Sequence, residues 1–146
     1  MGRRADGRGF SLFEVLVALA LAGLFAAGAG YSVGRLGPRL RLRAGVWAVT
    51  SGLGQARFRA VMSGQPVRVR FAGSTLVFER PDDASGTWRT ARTEVLDGVA
   101  VEANAAPVFY PQGTVAPLAA VTVGNAAGAY RITVAITGRI RSVRTG

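Results

Sequence analysis

The sequence predicts an α+β protein, a long N-terminal helix packed against an antiparallel β-sheet domain. Three observations carry that expectation. Residues 15–34 contain no charged side chain. Apolar residues then recur at spacings of three and four as far as Ala60, which is the period of a helix. After Pro66 the apolar period changes to two, which is the period of a half-buried strand.

The uncharged run comes first. Its 20 positions, at about 1.5 Å rise each, make a helix of about 30 Å, the thickness of a bilayer's hydrocarbon core. Ahead of it stand Arg3, Arg4 and Arg8 against Asp6, and at its head the stretch Gly9-Phe10-Ser11-Leu12-Phe13-Glu14. A secretory signal has a shorter apolar core followed by a small-x-small cleavage site, a form that Ala27-Gly28-Ala29 provides. A plain membrane anchor accounts for the length but not for Glu14, since a carboxylate inside an apolar segment is costly in lipid and needs a partner.

Past the run, Gly34 and Gly37-Pro38 weaken the helix, because proline lacks an amide donor and disfavours helical geometry in the residue before it. A kink or locally melted segment is expected there. Val46, Val49, Leu53, Ala56 and Ala60 then form one apolar stripe, with Arg57 and Arg59 projecting away from it. Gly64 and Pro66 end the helix. The stripe is expected to pack on a sheet.

The strands follow in order. Val67, Val69 and Phe71 alternate with Arg68 and Arg70, giving one buried and one exposed face. Gly73-Ser74 turns the chain into Thr75-Leu76-Val77-Phe78-Glu79-Arg80. Residues 81–86 read as an exposed loop, so Asp82-Asp83 is expected to be a solvated turn. Trp88 and residues 93–101, broken at Asp97-Gly98, predict further short strands. Val108-Phe109-Tyr110 precedes the turn Pro111-Gln112-Gly113. Residues 118–123 and 130–136 flank a turn at residues 124–128, and Gly138 leads into Ile140-Arg141-Ser142-Val143-Arg144. One sheet of five to eight strands over the helix stripe is the expected packing.

Composition narrows the function. The 146 residues include no cysteine and no histidine, which removes disulfides, thiol nucleophiles, the common zinc ligands and the commonest general base. Ser11, Thr50 and Ser51 therefore have no imidazole to activate them. No enzymatic activity, metal or cofactor is expected. All 18 basic residues are arginine, and they are unevenly placed. Between Glu14 and Glu79 there are eight arginines and no acid; beyond Glu102 there are only Arg131, Arg139, Arg141 and Arg144. Such ends are either solvated surface or contacts to anionic lipid headgroups or nucleic acid.

Gly9-Phe10-x-x-x-Glu14 resembles the type IV prepilin leader. That resemblance implies cleavage by a prepilin peptidase between Gly9 and Phe10, methylation of the new N-terminus, and pairing of Glu14 with the terminal amine of a neighbouring subunit in a filament. A buried acid and a buried amine are each costly alone and tolerable together. Ala56-Arg57 with Ala60-Val61, Gly64-Gln65-Pro66-Val67, the segment from Phe109 to Thr114, and the ending from Ile132 to Arg141 resemble the GspH/FimT group of minor pilin-like proteins. The group implies a pilin-like fold. It implies a minor pseudopilin near the tip of a type II secretion pseudopilus, supporting protein export, or alternatively a FimT-like type IV minor pilin in pilus assembly or DNA uptake. Its partners would be other pseudopilins or minor pilins, the peptidase and the inner-membrane assembly platform. The implied organisation is a leader at 1–9, a transmembrane and filament-core helix at 10–34, and a periplasmic domain at 35–146, with an amphipathic helix at about 44–63 and β structure from 66. Four arginines at 35–43 against three before the run would by count alone hold the domain in the cytoplasm; the leader implies the opposite. Two departures from the group stand out. Tyr31 occupies the place of a proline found in many major pilins, and the calcium-holding acidic loop of the major pseudopilin has no counterpart. DNA-binding FimT-like proteins use a Gly-Arg-x-Arg motif, matched by Gly138-Arg139-Ile140-Arg141 with Arg144 nearby. Arg139 and Arg141, on one strand face, would grip successive phosphates; the bland alternative is a turn followed by an exposed strand.

Overall fold

The computed structural model describes residues 11–82 and 85–146, with the backbone alone at 26–35. Gly9, Phe10 and the leader at 1–9 lie outside the described residues, as does Asp83. The chain divides into two compact units, Met1–Leu36 and Gly37–Gly146.

One helix, α1, is assigned over Leu12–Ser63 with Pro38 inside it. The melted segment expected at Gly37-Pro38 is not found: the helical assignment continues through both residues, so no separate amphipathic helix begins near 44. Proline lacks the N–H that would bond the carbonyl four residues back; separately, the side-chain amide of Asn125 donates to the Pro38 carbonyl at 2.8 Å. In the first unit, Leu12, Phe13, Leu16, Leu19, Leu24 and Phe25 are all exposed, and at 100° per residue they point in every direction around α1. Among the described residues no helix is long and apolar enough to cross a membrane.

The second unit begins with the rest of α1. Leu42, Val49, Leu53, Ala56 and Ala60 are buried along one side, and Val46 packs against the same core. Gly45 shares this side, and a Cβ there would stand 2.8 Å from Val99 Cγ2. The helix thus approaches its partner more closely than an alanine would permit.

Among the described residues nine strands follow: β1 (Val67–Ala72), β2 (Thr75–Pro81), β3 (Trp88–Val95), β4 (Ala100–Ala103), β5 (Val108–Phe109), β6 (Val115–Ala116), β7 (Ala119–Asn125), β8 (Gly128–Val134) and β9 (Ile140–Arg144). They form two antiparallel sheets, not the single sheet expected, in the orders β3-β2-β1-β5-β6 and β4-β7-β8-β9. The core draws Val67, Val69, Leu76, Phe78 and Phe109 from the first sheet and Val101, Val121, Val123, Ile132 and Val134 from the second, closed by the α1 stripe.

In β2 the alternation fails, because Leu76, Val77, Phe78 and Glu79 are all buried. Leu76 and Phe78 face α1, near Gly52. Glu79, only 4% exposed, lies opposite Arg68. It accepts from Arg68 Nε at 2.5 Å and Arg70 Nε at 3.2 Å, and the Arg68 guanidinium stacks 4.5 Å from the Trp88 ring centre. The arginines read from the sequence as a plain exposed face therefore cover a buried carboxylate, which is tolerable because it is paired.

Candidate functional site

The N-terminal candidate is a single carboxylate. Val15 N donates to Ser11 O at 3.1 Å, which sets Ser11 at the head of α1 and Glu14 in its first turn, where the partial positive charge of the helix end favours an anion. Glu14 is exposed and, among the described residues, has no ion-pair partner. Among the described residues, the start of α1 is apolar on all sides with one acid that has no ion-pair partner, the pattern of a helix that is normally covered all round.

The C-terminal candidate is assembled from three distant segments. After β8 the chain turns, with Gly138 N donating to Ala135 O at 2.8 Å and Ala135 N to Arg139 O at 2.9 Å. Gly138 is buried at φ +73°, and a Cβ there would lie 2.6 Å from Gly113 O and 2.7 Å from Arg57 Nε. Only glycine fits, on both backbone and steric grounds. Arg57 Nη1 donates to Gly138 O at 3.4 Å. The turn at Gly113, closed by Gly113 N to Tyr110 O at 2.8 Å, is joined to this region by Val115 N to Ile136 O at 2.9 Å. Arg57 was expected to project away from the helix stripe. It is exposed, and it also lies near the turns at Gly113 and Gly138 and hydrogen-bonds the second, a role with no local signal in the sequence.

Arg139 precedes β9 instead of lying within it. Ile140 packs toward the core, so alternation sends Arg139 and Arg141 to the outer face together, and both are exposed. Arg141 lies opposite Thr133, and Arg131 opposite Val143, on that same face. Arg144 does not join them. It falls on the other face, opposite Tyr130, and lines a cavity of about 260 Å³ with Arg39, Leu42, Arg43, Ala127 and Tyr130. The three arginines grouped in the sequence are thus divided two and one between opposite faces of the sheet.

Hydroxyls that would serve as nucleophiles are engaged in the helix. Thr50 Oγ1 donates to Val46 O at 2.7 Å and Ser51 Oγ to Ala48 O at 3.1 Å. The site chemistry is that of binding and packing: a lone acid on an apolar helix, and guanidinium groups displayed from a stiff β domain.

A helix laid on antiparallel sheets that hold one common core is the architecture of a pilin-like minor subunit. Residues 4–30 match the prokaryotic N-terminal methylation motif, and residues 48–138 match the model of type II transport protein GspH. The chain belongs to the GspH family, a family of structural pseudopilins and pilins. Solved structures share the fold at low identity. The minor pseudopilin EpsH of the type 2 secretion system of Vibrio cholerae superposes with TM-score 0.62 at 16% identity, covering 73% of this chain and 98% of that one. The solution structure of E. coli GspH gives 0.61 at 16% identity, covering 72% and 89%. The Pseudomonas aeruginosa type IV minor pilin FimU gives 0.58 at 18%, covering 70% and 88%. No curated protein matches the chain in sequence.

Proposed function

We propose that this GspH-family chain is a minor pseudopilin, a structural subunit near the tip of a type II secretion pseudopilus that supports protein export across the outer membrane. In this reading the leader at 1–9 is removed by a prepilin peptidase, and Phe10 becomes the methylated N-terminus. Residues 10–34 span the inner membrane once and later line the filament core, and residues 35–146 form the periplasmic domain. Glu14 pairs with the terminal amine of a neighbouring pseudopilin during assembly on the inner-membrane platform. The observation that carries the reading is the exposed apolar surface all round α1 at 12–25, interrupted by one carboxylate that has no ion-pair partner among the described residues. The type IV minor pilin alternative, with DNA as partner, draws on the outward pair Arg139 and Arg141, for which no carboxylate partner occurs among the described residues.

The test is Gly9→Val. A chain processed by the peptidase is expected to lose its first nine residues in wild type and to keep them in the variant. Intact-mass measurement on protein from membranes reads this directly, alongside recovery in sheared filaments. A wild-type mass that retains Met1 to Gly9, or a variant cut at the same bond and still assembled, would overturn the reading.

A further inference from the structure

We propose that Arg39, Arg43 and Arg144, with Tyr130, form a binding site for the phosphodiester group of an anionic phospholipid headgroup. Arg39 and Arg43 stand one helical turn apart on α1 and so share a face. β9 brings Arg144 to the same place opposite Tyr130, and the turn between β7 and β8 closes the cavity with Ala127. The enclosure is built from locked parts. Leu42 is anchored in the core. Asn125 fastens the turn to α1 by donating to Pro38 O at 2.8 Å and to Gly98 O at 3.1 Å, while its carbonyl oxygen accepts from Ala127 N at 2.8 Å.

No aspartate or glutamate offsets the charge in this cavity. Arg41, Arg68, Arg70 and Arg92 each pair with a carboxylate. Among the described residues Arg39, Arg43 and Arg144 pair with no aspartate or glutamate, and neither residue type lines the cavity. Of the three arginines, Arg144 already donates from Nε to Gly146 O at 2.8 Å. Three guanidinium forks offer more donors than a single carboxylate accepts, whereas the oxygens of a phosphate can take them from several directions. The lipid source rests on the membrane-anchored reading above: Arg39 and Arg43 follow the uncharged run by five and nine residues, where basic side chains meet headgroups. A duplex suits the site less well, since the cavity is recessed between α1 and the sheet, while the outward arginines Arg139 and Arg141 occupy the sheet's other face.

The experiment uses the full chain in dodecyl maltoside, titrated calorimetrically with dihexanoyl-phosphatidylglycerol, dihexanoyl-phosphatidylcholine, inorganic phosphate and a short DNA duplex. Saturable binding of the phosphatidylglycerol is expected, at least about tenfold tighter than of the phosphatidylcholine. Arg39→Gln/Arg43→Gln and, separately, Arg144→Gln should each weaken it at least about tenfold, and Arg139→Ala/Arg141→Ala should leave it unchanged. Arg144→Gln alters only an exposed strand end, so it keeps the test decisive if the helix variant folds poorly. Equal affinity for the two lipids would overturn the proposal. So would inorganic phosphate bound as tightly as the phosphatidylglycerol, which would make this a free-phosphate site, and so would duplex binding lost in the Arg39/Arg43 variant. Carbonate extraction of membranes tests the anchored reading by itself: release of the chain would defeat that reading, whatever the titration shows.

Discussion

Along α1, residues 12–25 carry leucine, valine and phenylalanine on every side and leave them exposed, while residues 42–60 bury Leu42, Val49 and Leu53 on one side and leave Trp47 and Phe58 exposed. The second stretch is sparing because small residues let it sit close: Gly45, Gly52, Ala56 and Ala60 bring the helix down onto Val99, Leu76 and Phe78. It completes a core with its own sheets. The first stretch carries more large apolar side chains and, among the described residues, no sheet covers them. The difference separates what folds the domain from what would assemble it.

The comparison is most exposed to failure at Leu53, which is fully buried between α1 and the sheets. Leu53→Ala is expected to destabilise the β domain by about 2–5 kcal/mol, the range for a buried leucine that leaves a cavity. Chemical denaturation followed by far-UV circular dichroism of the full chain in detergent would read it. A loss below about 1 kcal/mol would mean that α1 is not integral to this core.

Gly138→Ala should have the next largest effect. The position combines φ +73° with a Cβ clash against the Gly113 carbonyl at 2.6 Å. Backbone strain and displacement of Arg57 together predict about 1–3 kcal/mol, since a left-handed site disfavours any side chain and the carbonyl cannot swing aside. Arg57→Ala would sharpen the point by removing the prop while sparing the glycine, and a smaller loss is expected. If Gly138→Ala melts like wild type, the meeting of the three segments carries no stability.

How much of this was legible beforehand depended on the range of the interaction. The α1 stripe from Val49 to Ala60 and the alternation of Val67 and Val69 are local periods, and each put the right residues in the core. The turn at Gly73-Ser74 was legible, but the alternation of basic residues pointed to solvent and gave no sign that Arg68 lies opposite Glu79. What decides the matter is that Glu79 is the first acid after Glu14, and two arginines of β1 reach it. Two sheets could not be told from one, because periodicity names a face without naming the sheet behind it, and β5 and β6, at two residues each, are too short to have a period. Arg57 and Gly138 lie 81 positions apart, so nothing local linked them. Gly138-Arg139-Ile140-Arg141 was visible as a motif, but the separation of Arg144 from it followed only once the β8–β9 register placed that residue on the helix side.

The smallest effect on folding is expected from the pair Leu16→Ala/Leu19→Ala, and it is the most informative about the comparison. Both residues are large, apolar and more than half exposed, at 58% and 65%. Truncating an exposed side chain leaves domain stability within about 0.5 kcal/mol, so the denaturation midpoint should match wild type. The same truncation removes apolar surface from whatever covers α1 at 12–25, at roughly 25 cal/mol per Å². Recovery of the chain in sheared filaments or in cross-linked oligomers should therefore fall while folding is untouched. A midpoint that drops as far as it does in Leu53→Ala would show that residues 12–25 help hold the domain together, and the division of labour along α1 would be lost. Unchanged assembly with unchanged folding would instead leave these leucines serving only the membrane, and would place the subunit contacts on the β domain.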